Sequence, residues 1–367
     1  MAKRILVFCG GHIIAGVEVV TLAYLEALKD LGVEIYCITN AWGNGAFNER
    51  LKALAISYSC IKLGFIYPKN IRWTLDTLFH LPSAIKEIRK VIRSFKPDLC
   101  YHTSFRTVFM TGLFVKMKHI YHVHDYIEPT SFNKFILTGI QHKTTRFITV
   151  SDATAKSLME SGISAEKVST LYNGTSILPE KQNIDNFEKL KIGIVGQIAI
   201  HKGHEMLLDA LGELKKNNNI KFHLKVFGTG DINYIDKLKQ NARNKDIESN
   251  IEWMGYKANL DEIYKDLNLL ILPSIAFESF GMVIIEAGIR GILVLSTDNG
   301  GPAEIIEDKK TGYLFRSGDI NHLKEKLLMI VNNPIDSKNC IKKSYLKISK
   351  DFNITIQAES LLKIIYN

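Results

Sequence analysis

The chain has 367 residues, 46% hydrophobic and 23% charged. That is enough for two globular domains with ordinary cores and excludes a disordered chain. Its five cysteines, Cys9, Cys37, Cys60, Cys100 and Cys340, form no Cys-x-x-Cys pair, which excludes a disulfide framework and points to a reducing cytosol. The net charge is +9; residues 52–146 hold 15 Lys and Arg against 5 Asp and Glu, a net of +10, so the remainder is near neutral. Such a segment reads either as a solvated face or as a surface for an anionic partner.

The apolar run Ile5–Cys9 follows Lys3 and Arg4 and ends at Gly10, Gly11 and His12, too soon for a signal peptide, so it reads as a buried first strand. No stretch approaches the roughly 20 apolar residues of a membrane-spanning helix. Val17–Leu31 then reads as a helix and Val33–Thr39 as a strand. A basic amphipathic helix begins at Ser83, with Ile85, Ile88, Ile92 and Phe95 on one face and Lys86, Arg89, Lys90, Arg93 and Lys96 over much of the rest. HIYHVHDYIEP follows, with His119, His122, His124 and Asp125; His122 and His124 share a strand face, but no further ligands at metal-site spacing accompany them.

The polar stretch Glu180–Glu188 is the expected linker. After it the alternation restarts. Strands are expected at Lys191–Val195, His223–Phe227, Ile251–Met254, Leu269–Leu272 and Ile292–Ser296. Helices are expected at His204–Lys216, Ile232–Arg243, Leu260–Asp266 and Gly281–Arg290. Short apolar strands alternating with amphipathic helices imply parallel sheets covered on both faces, with ligands at the carboxyl ends of the strands.

Three C-terminal motifs carry chemistry. In IGIVGQIAIHKGHEMLLDAL, from Ile192, Gly196 ends a strand and Lys202-Gly203 opens a helix; a lysine there suits phosphate as a point charge. In PSIAFESFGMVIIEAG, from Pro273, Glu278 lies before a helix and Glu286 in its second turn. The backbone amides of Phe280, Gly281 and Met282 suit a diphosphate, Glu286 suits the ribose hydroxyls and Glu278 suits sugar hydroxyls. In STDNGGPAEIIEDKKTGYLF, from Ser296, Gly300 and Gly301 open a loop, Pro302 suits a first helical turn and Gly312 reads as a turn.

Together and in this order, the motifs resemble glycosyltransferase family 4, a retaining family of GT-B fold. The signature is Glu-x(7)-Glu, here Glu278 and Glu286, with ESFG beside it and GG-x-x-E at Gly300–Glu304. The resemblance implies an α/β, GT-B architecture of two Rossmann-like domains facing across a cleft. Residues 1–180 would form the acceptor side and 189–350 the nucleotide-sugar domain, with a helix in 351–367 returning toward the first. It implies that Lys202 binds the diphosphate, that Tyr256 and Lys257 lie beside the nucleobase, and that His124 touches the transferred sugar. GGHIIAGVEVVTLAYLEAL resembles the family's glycine loop, with Gly16 approaching donor or acceptor and Glu18 in its usual place. ITVSDATAKSL and LYNGTSI fit later segments of the family. One departure is Gln197, where the family commonly has arginine; the amide donates a hydrogen bond but carries no charge.

The expected activity is therefore retaining transfer of a glycosyl group from a nucleoside diphosphate sugar to a hydroxyl of a glycan or lipid-linked acceptor, in cell-surface polysaccharide or glycoconjugate synthesis. His124, Glu278 and Lys202 would be catalytic. No cofactor and no essential metal are expected, since no Asp-x-Asp pair occurs. The enzyme would be cytoplasmic, with its basic segment touching the inner face of an anionic membrane. An epimerase or phosphorylase of the same fold is the alternative. A nucleic-acid-binding protein is less favoured: no recognised motif supports it, and the excess charge lies away from the phosphate-site candidates.

Overall fold

A computed structural model describes residues 3–11, 14–63, 71–180 and 187–367. The chain forms two compact units, one of residues 1–174 with 354–367 and one of 175–353. The expected linker falls largely on 181–186, outside the described residues.

The first unit runs β1 (Arg4–Cys9), α1 (Gly16–Asp30), β2 (Glu34–Asn40), α2 (Ala46–Ala53), β3 (Ser57–Ile61), α3 (Ile71–Phe95), β4 (Leu99–His102), α4 (Phe105–Gly112), β5 (Lys118–Val123), α5 (Ser131–Gln141), β6 (Thr144–Thr149), α6 (Asp152–Glu160) and β7 (Val168–Thr170). Its seven strands are parallel, in the order β3-β2-β1-β4-β5-β6-β7. Right-handed crossovers put α1 and α2 on one face. The reversal after β3 puts α3, α4, α5 and α6 on the other.

The second unit runs β8 (Leu190–Val195), α7 (His204–Asn218), β9 (Phe222–Phe227), α8 (Ile232–Asn244), β10 (Ile251–Gly255), α9 (Leu260–Tyr264), β11 (Leu269–Leu272), α10 (Met282–Gly288), β12 (Leu293–Thr297), α11 (Pro302–Ile305), β13 (Tyr313–Phe315), α12 (Ile320–Asn332) and α13 (Pro334–Asp351). Its parallel sheet has the order β10-β9-β8-β11-β12-β13. The strands are short and apolar because helices cover both faces; every residue of β11 and β12 is buried. The order reverses between β8 and β11, and there the loops leaving neighbouring strands diverge to opposite faces and leave a crevice.

Several elements differ from expectation by one or two residues at their ends, and one differs by more. The sequence pattern starts the basic helix at Ser83, after Pro82, yet α3 begins at Ile71 and passes through that proline. Proline removes one amide from the helical ladder, and Ser83 Oγ donates to the nearby His80 carbonyl at 2.7 Å.

The last helix, α14 (Ile354–Tyr366), belongs to the first unit and packs on α1. Leu361 and Ile365 are fully buried there, beside Tyr24, Leu25 and Leu28 of α1. Lys118 Nζ donates to the Ile365 carbonyl at 2.6 Å, and Tyr366 donates to Asp98 at 3.0 Å. Leu361→Ala removes a filled contact and leaves a cavity, so it should cost about 3 kcal/mol. Denaturant unfolding followed by a probe in the first unit should show that unit's midpoint fall and the second unit's stay.

Candidate functional site

Three loops at the carboxyl ends of β8, β11 and β12 are knitted together. Gly203 ends the β8 loop with φ of +73°, where a Cβ would overlap the Pro273 carbonyl oxygen. The His201 carbonyl accepts from the amides of Ile275 (2.8 Å) and Ala276 (3.3 Å). Glu278 pairs with Gly300 in an isolated bridge, and Gly301 N donates to the Glu278 carbonyl at 2.8 Å. A Cβ at Gly301 would come within 2.5 Å of Phe280 Cα. Thus the glycines at 203 and 301 are sites of close backbone approach.

This knitting brings Lys202 to Glu278. Lys202 Nζ lies 2.7 Å from Glu278 Oε2, and Ser274 Oγ donates to the same oxygen at 2.8 Å. Both charged side chains are partly enclosed, at 27% and 17% exposure. Partial enclosure lowers the local dielectric, so their mutual attraction is stronger than between fully exposed side chains.

Glu286 is different. It lies on α10, only 7% exposed, and Tyr264 of α9 donates to its Oε2 at 2.8 Å. Burial pushes its carboxyl up, partly offset by the Tyr264 hydrogen bond and by Arg290. Arg290 lies 5.3 Å from the Tyr264 ring centroid and pairs with Asp261 at 3.1 Å. The Phe280 side chain is core, edge-on to Phe352, so only its backbone faces the loop chemistry. Gly281 caps α10 in a left-handed conformation at φ of +94°, and Met282 is its first residue. Gln197 and Tyr256 are exposed, at the ends of β8 and β10; Lys257 pairs with Glu262 at 3.8 Å.

The first unit holds His124 and Gly16. His124 follows β5, its ring centroid 4.1 Å from that of His122. Burial lowers its pKa to about 4, so the ring is neutral at pH 7. Tyr101 O–H bonds His122 Nδ1. Glu18 closes the glycine loop by accepting from Gly11 N (2.8 Å) and Ala15 N (3.0 Å). A Cβ at Gly16 would meet nothing within 4 Å, so its neighbourhood is open. His12 lies outside the described residues.

His119 belongs to another cluster. Cys100, His102 and His119 are buried, with ligand-type atoms within 4.8 Å of one another. A neutral chain, Thr107 to His102 (3.1 Å), His102 to His119 (2.9 Å) and His119 to the Val115 carbonyl (3.0 Å), satisfies both rings. The sequence reading missed Cys100 and His102 here because strand pairing, not spacing, joins β4 to β5. It also missed Ser274 and Tyr264; four-residue spacing within Pro273–Glu278 was the available signal for Ser274, and Tyr264 had none.

Two family models match adjoining parts of the chain: Glycosyltransferase Family 4 over residues 14–177 and Glycosyl transferases group 1 over 178–347. An uncharacterized glycosyltransferase of Haemophilus influenzae is 25% identical over 92% of this chain and 93% of its own length. The poly(ribitol-phosphate) alpha-N-acetylglucosaminyltransferase of Staphylococcus aureus is 27% identical over 59% of this chain, a match spanning 43% of that protein. Among solved structures, Anabaena HepE in complex with UDP and glucose superposes with a TM-score of 0.82 at 18% identity, over 99% of both chains.

The buried Glu286 yields a pH prediction. Its folded pKa is raised, so folding binds it protonated: its contribution to stability is full below the unfolded pKa and is lost as pH rises through the folded one. Glu286→Gln keeps an acceptor for Tyr264 and removes the charge. The variant's melting temperature should exceed the wild type's at pH 8, with the gap closing toward pH 4 in thermal scans.

Proposed function

The chain belongs to glycosyltransferase family 4, and we propose that it moves a sugar from a nucleoside diphosphate donor to a hydroxyl of a glycan or lipid-linked acceptor in cell-surface polysaccharide synthesis, with retention at the anomeric carbon. One observation carries the donor-site reading: Lys202 and Glu278 meet at the carboxyl ends of adjacent strands β8 and β11, where the sheet order reverses.

In this reading Lys202 and the backbone amides at Phe280–Met282 take the diphosphate, and Glu286 takes the ribose hydroxyls. Tyr256 and Lys257 lie beside the base, and Gln197 donates to a phosphate oxygen. As the bond from the anomeric carbon to the diphosphate oxygen breaks, positive charge develops on the sugar and negative charge on the leaving group. Lys202 and the amides balance the second. Glu278, held by Ser274, orients the sugar and balances the first. The acceptor oxygen bonds to the anomeric carbon, and its proton passes to a phosphate oxygen of the leaving diphosphate. His124, neutral at pH 7, supplies a hydrogen bond to the transferred sugar, and Gly16 leaves room for the reacting groups. No step calls on a metal ion. The same reading puts the enzyme at the inner face of an anionic membrane, through its basic segment.

The first test is a panel of nucleotide sugars in a thermal-shift assay; a ligand at 100 times its dissociation constant adds about 2.7 kcal/mol. Glu278→Ala should nearly abolish turnover while the protein still folds. Lys202→Ala should lower kcat/KM by about 100- to 1,000-fold. Wild-type turnover in either variant removes that residue from the site. Chelator should leave turnover intact; loss restored by Mg²⁺ or Mn²⁺ would overturn the metal-independent step.

A further inference from the structure

Helix α3 is amphipathic in an unusual sense. Its buried side is Thr77, Ala84, Ile88 and Val91. On the opposite side, Ile71, Leu75, Leu78 and Phe79 recur at the i, i+4, i+7, i+8 spacing of one helical face. They are 70%, 58%, 52% and 80% exposed. Past Pro82 the same face continues as Lys86, Arg89 and Arg93, all exposed. One outward line is therefore apolar for its first half and cationic for its second.

The outward turn of the apolar half is fixed by polar contacts at its side. Asp76 accepts from Trp42 Nε1 at 2.8 Å and pairs with Lys62 at 3.5 Å and His80 at 3.3 Å. Rolling the helix to bury Leu75 and Phe79 would break these contacts and expose Thr77 and Ala84. Neighbouring helices on this face of the sheet add further exposed apolar groups, Leu113 just after α4 and Phe135 on α5.

We propose that α3 lies in the plane of an anionic lipid bilayer, with Ile71, Leu75, Leu78 and Phe79 inserted at the acyl boundary and Lys86, Arg89 and Arg93 among the phosphates. This deepens the membrane placement above and rests on it. The occupant follows from charge. Around α3 the segment 52–146 carries +10, and a second copy of the chain would bring the same cationic row. An anionic leaflet complements the row, each cation contributing about 1 kcal/mol near its surface, while the apolar half finds the acyl chains. A helix of 25 residues is about 37 Å long, yet no described helix is apolar enough to cross a membrane, so α3 lies flat.

The experiment is co-sedimentation of the full chain with vesicles of phosphatidylcholine alone or mixed equally with phosphatidylglycerol, at low and high salt. The wild type should bind the mixed vesicles and keep part of that binding at high salt. Leu75→Ser with Phe79→Ser should remove the salt-resistant part, at about tenfold in partition per side chain. Lys86→Glu with Arg89→Glu and Arg93→Glu should remove binding at low salt. All these positions are exposed, so the variants should keep the wild-type melting temperature and its donor turnover. Equal binding by the serine variant overturns insertion. Binding only to a soluble polyanion such as poly(ribitol phosphate), with none to vesicles, overturns the lipid surface in favour of a polyanionic acceptor. Absent donor turnover in the wild type counts against the transferase reading and leaves the vesicle result standing.

Discussion

At Gly203 the backbone turns with φ of +73° against Pro273, so closely that no side chain fits between them. That approach ties the loop after β8 to the loop after β11. Gly300 and Gly301 tie the second loop to the one after β12 in the same way, through Glu278 and Phe280. Lys202 and Glu278 are thereby fixed by main-chain crowding, before their charges meet. An ion pair between long, half-exposed side chains is weak when it must also pay for its own ordering. Here the ordering is done by the backbone, and the pair adds direction to an arrangement already made.

The two acidic groups of the Glu-x(7)-Glu spacing consequently sit in opposite environments. Glu278 has a lysine at 2.7 Å and a hydroxyl on the same oxygen, whereas Glu286 has a phenol and burial pushes its carboxyl up. A carboxylate enclosed on an apolar helix lowers stability at neutral pH. Under the proposed function that cost would be the counterpart of a donor-binding role for Glu286. Arg290, spanning Asp261, the Tyr264 ring and the Glu286 carbonyl, moderates that cost without placing a cation directly on the carboxylate.

Most strands were readable from the sequence because parallel strands buried on both faces appear as short apolar runs, such as LNLLIL before Pro273. The placing of Glu278 before α10 and Glu286 in its second turn was readable for a similar reason: glycine at 281 marks the start of the helix. What was hidden depends on partners distant along the chain. Tyr264 reaches Glu286 across 22 positions, and His102 meets His119 only through the pairing of β4 with β5. The start of α3 was hidden differently. Pro82 looks like a boundary, and a helix whose apolar stripe faces outward has no inward periodicity to extend the reading through it.

Under the proposed function, the Lys202–Glu278 pair describes the site before donor arrives. A diphosphate carries more negative charge than a carboxylate, and lysine is a mobile point charge on a flexible stem. Donor binding would draw Lys202 from Glu278 to phosphate. Glu278 would keep the Ser274 hydroxyl, 2.8 Å from the same oxygen, and gain sugar hydroxyls as new donors. Lys202 would exchange one anion for another, and hydroxyl donors would replace the lysine at Glu278, which limits the cost of separating a partly buried ion pair. A carboxylate released in this way is aimed at the sugar only when a diphosphate occupies the lysine. On that proposal, the ion pair would couple the placing of the sugar to the presence of its leaving group.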